Sequence, residues 1–282
     1  MQLLKTKSGL RNFRKEARLS GKTVGLVPTM GALHSGHLEL VKRALSENEV
    51  VIVSIFINPT QFDNPEDLSN YPRGLERDME ALETLGKPLV VFAPEVDEMY
   101  PDRVDSQRYN FDGLDQVMEG AHRTGHFDGV GTIVEALLRL AEPTRAYFGE
   151  KDYQQLQIIR KLVENRKLPV AIIPCPIVRE ADGLAMSSRN ARLSAPLRAQ
   201  APFLYKTLQR AKAMFGTKSA TQVKEFVRAA FADHPEFKLE YIEIANADTL
   251  RPVMRKGKGK KYRAFAAAYL GGVRLIDNIA LN

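Results

Sequence analysis

Residues 50–57, Val-Val-Ile-Val-Ser-Ile-Phe-Ile, form an almost wholly apolar and β-branched run. A strand of that kind has no polar face, so it must be covered on both sides, the usual condition of a strand inside a parallel sheet. Short runs of similar character recur at 23–28, 89–92, 145–148 and 170–173. Between them the apolar residues take helical spacing: Leu38, Leu40, Val41 and Ala44 first, then 75–85, 133–140 and 156–168. Strands alternating with helices predict an α/β fold, a doubly wound, Rossmann-like parallel sheet over residues 1–176.

Beyond Pro176 the pattern changes. Helical spacing covers 197–215 and 223–231, whereas 239–244, 264–270 and 273–276 read as strands. Segregated helices and strands predict a smaller C-terminal α+β domain, 177–282, in the position of a lid. A length of 282 residues suits such a division.

Composition narrows the class of function. Hydrophobic residues at 44% and charged residues at 27% argue against a disordered chain and against a membrane protein. The opening Met1-Gln2-Leu3-Leu4-Lys5 has too short an apolar run for a signal-peptide core, so the expected compartment is cytoplasmic. The single cysteine, Cys175, excludes an intrachain disulfide framework and any multi-cysteine metal site. Flanked by Pro174 and Pro176, it reads as a packed, unreactive thiol rather than a nucleophile. The net charge of +7 suits either nucleic acid or a polyanionic small substrate such as ATP. Basic and aromatic residues are not interleaved along any predicted element face, so no nucleic-acid partner is expected, and with no apolar run near the length of a membrane span no membrane partner is expected either. The basic run at 255–261 falls between two predicted strands and reads as a solvated hairpin loop, with a mobile basic lid as the alternative.

Ligands of doubly wound sheets bind outside the carboxyl ends of the strands, so the strand-to-helix loops carry the chemistry. The first is Met30-Gly31-Ala32-Leu33-His34-Ser35-Gly36-His37. Neither the dinucleotide Gly-x-Gly-x-x-Gly nor the phosphate-loop Lys-Ser/Thr is present. A His-x-Gly-His sequence at a helix mouth offers backbone N–H groups, a close approach at Gly36, and two imidazoles that can donate to phosphate oxygens. A metal site built on His34 and His37 with Glu39 is the rival reading. The loop holding Asn58 and Gln61 offers uncharged amides suited to a ligand with hydroxyls and a carboxylate, or is an ordinary Asn-Pro turn. Arg123 to Phe127 is either an anion-binding loop or a polar crossover. In Gly149-Glu150-Lys151-Asp152, Lys151 suits phosphate charge and Asp152 a ribose or Mg2+, although both also suit the first turn of a helix. Met186-Ser187-Ser188-Arg189 opens the second domain with two hydroxyls and a guanidinium, a set able to close over a triphosphate.

Taken together, His34-Ser35-Gly36-His37 and Met186-Ser187-Ser188-Arg189 resemble the paired signature elements of the nucleotidylyltransferase superfamily. The longer strings at 28–37, 56–62, 125–130, 148–155 and 179–190, with Arg274-Leu275-Ile276-Asp277-Asn278 near the end, resemble the pantothenate synthetase (pantoate-β-alanine ligase) family. That resemblance implies an ATP-dependent ligase that condenses pantoate with β-alanine through pantoyl adenylate, with Mg2+ accompanying ATP, in a cytoplasmic homodimer. It implies an ATP site of Met30, Gly31, Ala32, Leu33, His34, Ser35, Gly36, His37, Gly149, Glu150, Lys151, Asp152, Val178, Met186, Ser187, Ser188 and Arg189. Gln61 and Gln155 would hold pantoate, and Gln61 would also face β-alanine. His37, His34, Lys151 and Arg189 would be catalytic, with His37 as proton donor or electrostatic stabiliser, and the metal ligands are not defined. Thr124 stands where relatives usually carry proline.

Overall fold

Six parallel strands form the larger sheet: β1 (Gln2–Leu4), β2 (Val24–Thr29), β3 (Val50–Ile55), β4 (Val90–Phe92), β5 (Arg145–Gly149) and β6 (Ala171–Cys175). This computed structural model describes residues 1–282. The strand order is β1-β4-β3-β2-β5-β6, so the chain winds outward from β2 in one direction and then, from β5, in the other. The reversal lies between β2 and β5, where a doubly wound sheet opens its ligand crevice. The ladder here is short: β2 and β5 pair only at Gly25–Arg145 and Leu26–Ala146. Each strand continues paired to its outer neighbour, β2 as far as Thr29 with Ile55 and β5 as far as Gly149 with Cys175. Pro28 has no N–H to give, which suits a strand whose carboxyl end is released from one neighbour.

Both faces of the sheet are covered, as the apolar strand composition requires. Val27, Val51, Val53, Val91 and Tyr147 cluster with Leu40, Val41 and Ala44 of the Ser35–Glu47 helix and with Leu82 of the Leu75–Glu83 helix. Leu26, Ile52, Val90, Phe92 and Ala146 alternate with these and are equally buried, so they face the other side. There the His126–Ala141 helix packs against β2 and against the Lys7–Leu19 helix.

A second sheet, antiparallel, contains β7 (Phe237–Asn246), β8 (Tyr262–Leu270) and β9 (Val273–Ala280), with β8 in the middle. Ala264, Ala266, Ala268 and Leu270 of β8 pack with Leu204, Leu208, Ala211, Val223 and Val227 of the Phe203–Phe215 and Ala220–Ala232 helices. The doubly wound sheet and the α+β remainder are therefore the fold the sequence predicts. Two details differ. The helical pattern at 197–215 is two helices, Ala195–Gln200 and Phe203–Phe215, broken where Pro202 cannot donate. The strand Gln2–Leu4 and the helix Lys7–Leu19, capped by Thr6 Oγ1 accepting from Gly9 N at 3.1 Å, add an edge and a cover that the apolar spacing does not predict. The basic run lies in the exposed connection between β7 and β8, with Lys256 Nζ bonded to the Phe215 carbonyl.

The chain divides into two compact units, and the division is not linear. The first holds Met1–Asp112, Arg123–Glu150 and Gln155–Pro176. The second holds Ile177–Asn282 and, in addition, Gly113–His122 and Lys151–Gln154, which a split at 176/177 assigns to the first domain. Buried charge explains the first of these segments. Arg274 donates from Nη1 and Nη2 to the two Glu119 carboxylate oxygens, 2.8 Å each, and from Nε to Glu240 at 3.0 Å. The Tyr241 hydroxyl donates to Glu119 at 2.7 Å. Gln154 then ties the second segment to the first, donating to the carbonyls of Leu114 and Val117 and accepting from Glu119 N. Burial works against the Arg274 charge, but the bonds to Glu119 and Glu240 more than offset it and hold its pKa above the usual guanidinium value. Burial pushes the Tyr241 hydroxyl well up, and the Glu119 charge adds to the shift.

Replacing Arg274 with Ala leaves two partly buried carboxylates without their partner, which costs about 3–5 kcal/mol in comparable pairs. Urea unfolding of the Arg274→Ala variant is expected to show a loss of that size. A loss below about 1 kcal/mol, the level of an exposed ion pair, would mean that something else holds the 113–122 segment.

Candidate active site

The loop leaving β2 is held by side chains rather than by its own backbone. Thr29 Oγ1 donates to the Ser54 carbonyl at 2.7 Å and accepts from Gly31 N at 3.2 Å. Gly31 and Ala32 then turn left-handed, with φ of +77° and +49°. At Gly31 only glycine fits, because a Cβ would also lie 2.8 Å from Asp78 Oδ2. Asp78, on the Leu75–Glu83 helix and 3% exposed, accepts from Ala32 N at 3.0 Å and Leu33 N at 2.7 Å. Burial raises the Asp78 pKa, and the two amide bonds oppose that rise. One carboxylate thus holds the strained turn that delivers the chain to His34.

His34 caps the Ser35–Glu47 helix: its Nδ1 accepts from Gly36 N at 3.1 Å. The accepting Nδ1 carries no proton, so the neutral ring carries its proton on Nε2. The His37 ring stacks on it with centroids 4.0 Å apart, and His37 N donates to the His34 carbonyl at 2.8 Å. The helix mouth is therefore more occupied than the sequence suggests. The amides of Ala32 and Leu33 go to Asp78 and those of Gly36 and His37 to His34, so these four are engaged within the loop itself.

Gln61 is brought to this loop. It ends a 3-10 turn, Pro59–Gln61, and its Nε2 lies against the Met30 sulfur. Asn58, 1% exposed, donates from Nδ2 to Gln61 Oε1 at 3.2 Å and to the Gly129 carbonyl at 3.1 Å. Its Oδ1 accepts from Thr60 Oγ1 at 3.0 Å and from the Tyr100 hydroxyl at 2.5 Å. With Oε1 engaged, the Gln61 amide presents N–H as its donor. Gly129 allows the His126–Ala141 helix to reach this turn, since a Cβ there would meet the Thr60 carbonyl at 2.2 Å. The buried His126 ring places Nδ1 2.8 Å from the Gln61 carbonyl, and Arg123 Nη1 lies 3.1 Å from His126 Nε2. The 123–127 loop thus wraps the backbone of Gln61.

In the paired glutamines, Gln154 is buried and spent on holding 113–122, whereas Gln155 is half-buried and belongs to the first unit. The remaining predicted positions lie on the turn after β5 and in the second unit. Gly149 ends β5, and Glu150–Asp152 is a 3-10 turn in which Lys151 Nζ stands 3.7 Å from Asp152 Oδ1. Val178 accepts from Met186 N at 3.0 Å across a hairpin. Ser187 Oγ accepts from Arg189 N at 3.3 Å and caps the 3-10 segment Ser188–Arg192. Cys175 is buried beside Arg43; burial pushes its thiol pKa up although the Arg43 charge opposes it, as befits a packed thiol. No group of three or more His, Cys, Asp or Glu side chains is arranged to hold a metal ion, and no helix is long and apolar enough to cross a membrane.

Asp78 has no place among the residues expected at the site, and Asn58, expected there as one of the loop's amides, serves instead to hold Gln61. Asp78 carries a legible signal: it lies three residues after Leu75 and four before Leu82, so it interrupts the apolar face of its helix.

Known proteins match this chain over nearly its whole length. The signature of the family described as pantoate-beta-alanine ligase matches residues 2–280. A pantothenate synthetase of Christiangramia forsetii is 55% identical with both chains fully covered. One from Aquifex aeolicus is 50% identical over 98% of this chain and 97% of its own. The crystal structure of pantothenate synthetase from Thermus thermophilus superposes with a TM-score of 0.90 at 42% identity, covering 100% of this chain and 99% of the other. A pantoate-beta-alanine ligase from Francisella tularensis, solved with beta-gamma ATP and beta-alanine, gives 0.78 at 34% identity, covering 100% and 98%.

The Asp78 strap predicts a local effect. Asp78→Asn turns one acceptor into a donor facing an amide, at a stability loss of about 1–3 kcal/mol. Hydrogen exchange at Ala32 and Leu33 is expected to accelerate more than that of the β3 core amides. Unchanged protection of these two amides would show that the loop holds without the carboxylate.

Proposed function

Because the chain belongs to the pantoate-β-alanine ligase family, we propose that its ATP-dependent condensation of pantoate with β-alanine is carried by the residues at the carboxyl end of β2 and by the Lys151 and Met186–Arg189 segments. The reaction is that of an AMP-forming ligase in pantothenate biosynthesis. The pantoate carboxylate attacks the α-phosphate of ATP, the bond to the β-phosphate oxygen breaks, and pyrophosphate leaves. The β-alanine amine then attacks the acyl carbon of pantoyl adenylate and displaces AMP, giving pantothenate.

The observation that carries the assignment lies within the first unit. Gln61, with its Oε1 engaged by Asn58, sets an N–H donor beside Met30, the first residue of the loop that ends in His34 and His37. A carboxylate or hydroxyl on Gln61 is thereby brought to phosphates held by the two imidazoles. Gln61 holds pantoate and faces β-alanine, and Gln155 adds a second amide for pantoate. Met30 to His37 bind ATP. His34 contributes Nε2–H, since its Nδ1 is engaged by Gly36. A carboxylate nucleophile needs no proton removed, so His37 acts on the phosphate oxygens, where charge grows as pyrophosphate departs.

Gly149, Glu150, Lys151 and Asp152, with Val178, Met186, Ser187, Ser188 and Arg189, are assigned to the nucleotide. Lys151 and Arg189 neutralise the departing pyrophosphate. Mg2+ enters with ATP, as Mg2+ usually binds through substrate phosphates and one or two carboxylates rather than in an all-protein cage. Asp152, half-exposed on its turn, is the carboxylate suited to that mode. The same reading extends to the assembly and compartment that the family resemblance implies, a homodimer in the cytoplasm.

Pyrophosphate is expected from ATP only when pantoate is present, and pantothenate only when β-alanine is added. Turnover with other carboxylic acids but not with pantoate would refute the substrate. His37→Ala is expected to slow adenylate formation by about 10² or more, the order found for removing one preorganised donor. A near wild-type single-turnover rate in that variant would remove His37 from the mechanism.

A further inference from the structure

Near the end of β9, Asp277 and Asn278 are 3% and 2% exposed, although both are polar and neither belongs to the assignment above. Successive side chains of a strand point to opposite faces, so one dipeptide can serve two segments. Asp277 accepts from Arg179 through both carboxylate oxygens, Nη1 to Oδ2 at 2.7 Å and Nη2 to Oδ1 at 3.0 Å. That guanidinium also donates to the Gly183 carbonyl at 3.1 Å and lies 3.6 Å over the Tyr205 ring. Arg179 pairs with Ala185, and Met186 N bonds Val178 O, so Arg179 fixes the hairpin from which Met186 to Arg189 emerge.

Asn278 serves the other segment. Its Nδ2 donates to the Lys151 carbonyl at 2.8 Å, while its Oδ1 accepts from Arg263. Its own N–H donates to Asp277 Oδ1 at 2.7 Å, which locks the two side chains into one network. Asp277, Asn278, Lys151 and Met186 to Arg189 all belong to the second unit.

We infer that Asp277 and Asn278 are positioning residues for adenylate formation, setting Lys151 and the Met186–Arg189 segment in mutual register for the triphosphate. The inference rests on the assignment of those two segments to ATP. It accounts for two buried polar side chains that the packing of an antiparallel sheet does not need. Neither residue touches substrate; each acts through the group it holds, and misplacement of a group by about 1 Å can cost 10²-fold in rate.

The test measures pantoate-dependent pyrophosphate release, in single turnover, for Asp277→Asn and Asn278→Asp. Each substitution is made in the otherwise unchanged chain and again with Lys151→Ala or Arg189→Ala. Each is expected to slow adenylate formation by about 10- to 100-fold, with the KM for pantoate changed less than about twofold. With Lys151 already Ala, Asn278→Asp is expected to cost less than about twofold, because the group it positions is gone. The same holds for Asp277→Asn with Arg189 already Ala. A wild-type rate, or an equal fold-loss in both backgrounds, overturns the inference, since general damage to the fold would add independently. If Asp277→Asn does not fold, Arg179→Lys takes its place under the same readings. Failure of the unaltered chain to release pyrophosphate with pantoate would instead refute the functional reading, and this inference with it.

Discussion

The short ladder between β2 and β5 is the constraint from which the first unit's chemistry follows. Two strands at the centre of a parallel sheet would ordinarily pair along their whole length, yet here bonding ends at Leu26 and Ala146. Pro28 cannot extend it, and each strand is instead carried on by its outer neighbour. The carboxyl ends of β2 and β5 are thus free to feed two loops, one leading to His34 and the other to the Glu150–Asp152 turn. The sheet is apolar on both faces and determines little about these loops beyond where they begin.

What the loops do is decided by a few buried polar side chains, each fully engaged. Asp78 takes two amides of the β2 loop, Asn58 holds the Gln61 amide, and His126 meets the Gln61 carbonyl. In a low-dielectric interior an unpaired group of this kind would be costly, whereas a satisfied network is rigid. The same device recurs in the second unit, where Glu119 with Arg274, and Asp277 with Arg179, bind separate chain segments to one sheet. A conformation prepared in advance suits a reaction in which the protein's task is to hold a carboxylate and a triphosphate and to meet growing charge.

The fold was legible in the sequence where its signal is periodic. The 50–57 run, the helices after β2 and β5, and the change of pattern past Pro176 all carry apolar spacing that depends on burial alone. The three-residue strand Gln2–Leu4 carries too few positions to show a period, and the break at Pro202 hid inside a continuous apolar pattern. Among candidate site residues, those in recognisable strings at strand ends can be named, because the side chains proposed to meet a ligand are also the ones that make a motif. Asn58, Asp277 and Asn278 also lie in such strings, 56–62 and 274–278, but what they and Asp78 hold is set by hydrogen bonds to chain segments 3 to 127 residues away. Such partners have no spacing to read, apart from the interruption of an apolar helix face at Asp78. The assignment of 113–122 to the second unit is of the same kind, fixed by Arg274 at a separation of 155 residues.

In the proposed reaction a carboxylate on Gln61 meets the α-phosphate at the His34–His37 loop. A crystal structure with a non-hydrolysable analogue of pantoyl adenylate tests it most directly. A phosphoryl oxygen is expected within about 3 Å of His34 Nε2 or the His37 ring, and a pantoyl oxygen at the same distance from Gln61 Nε2. An analogue bound with its phosphoryl group away from both histidines, or with its acyl group away from Gln61, would contradict it.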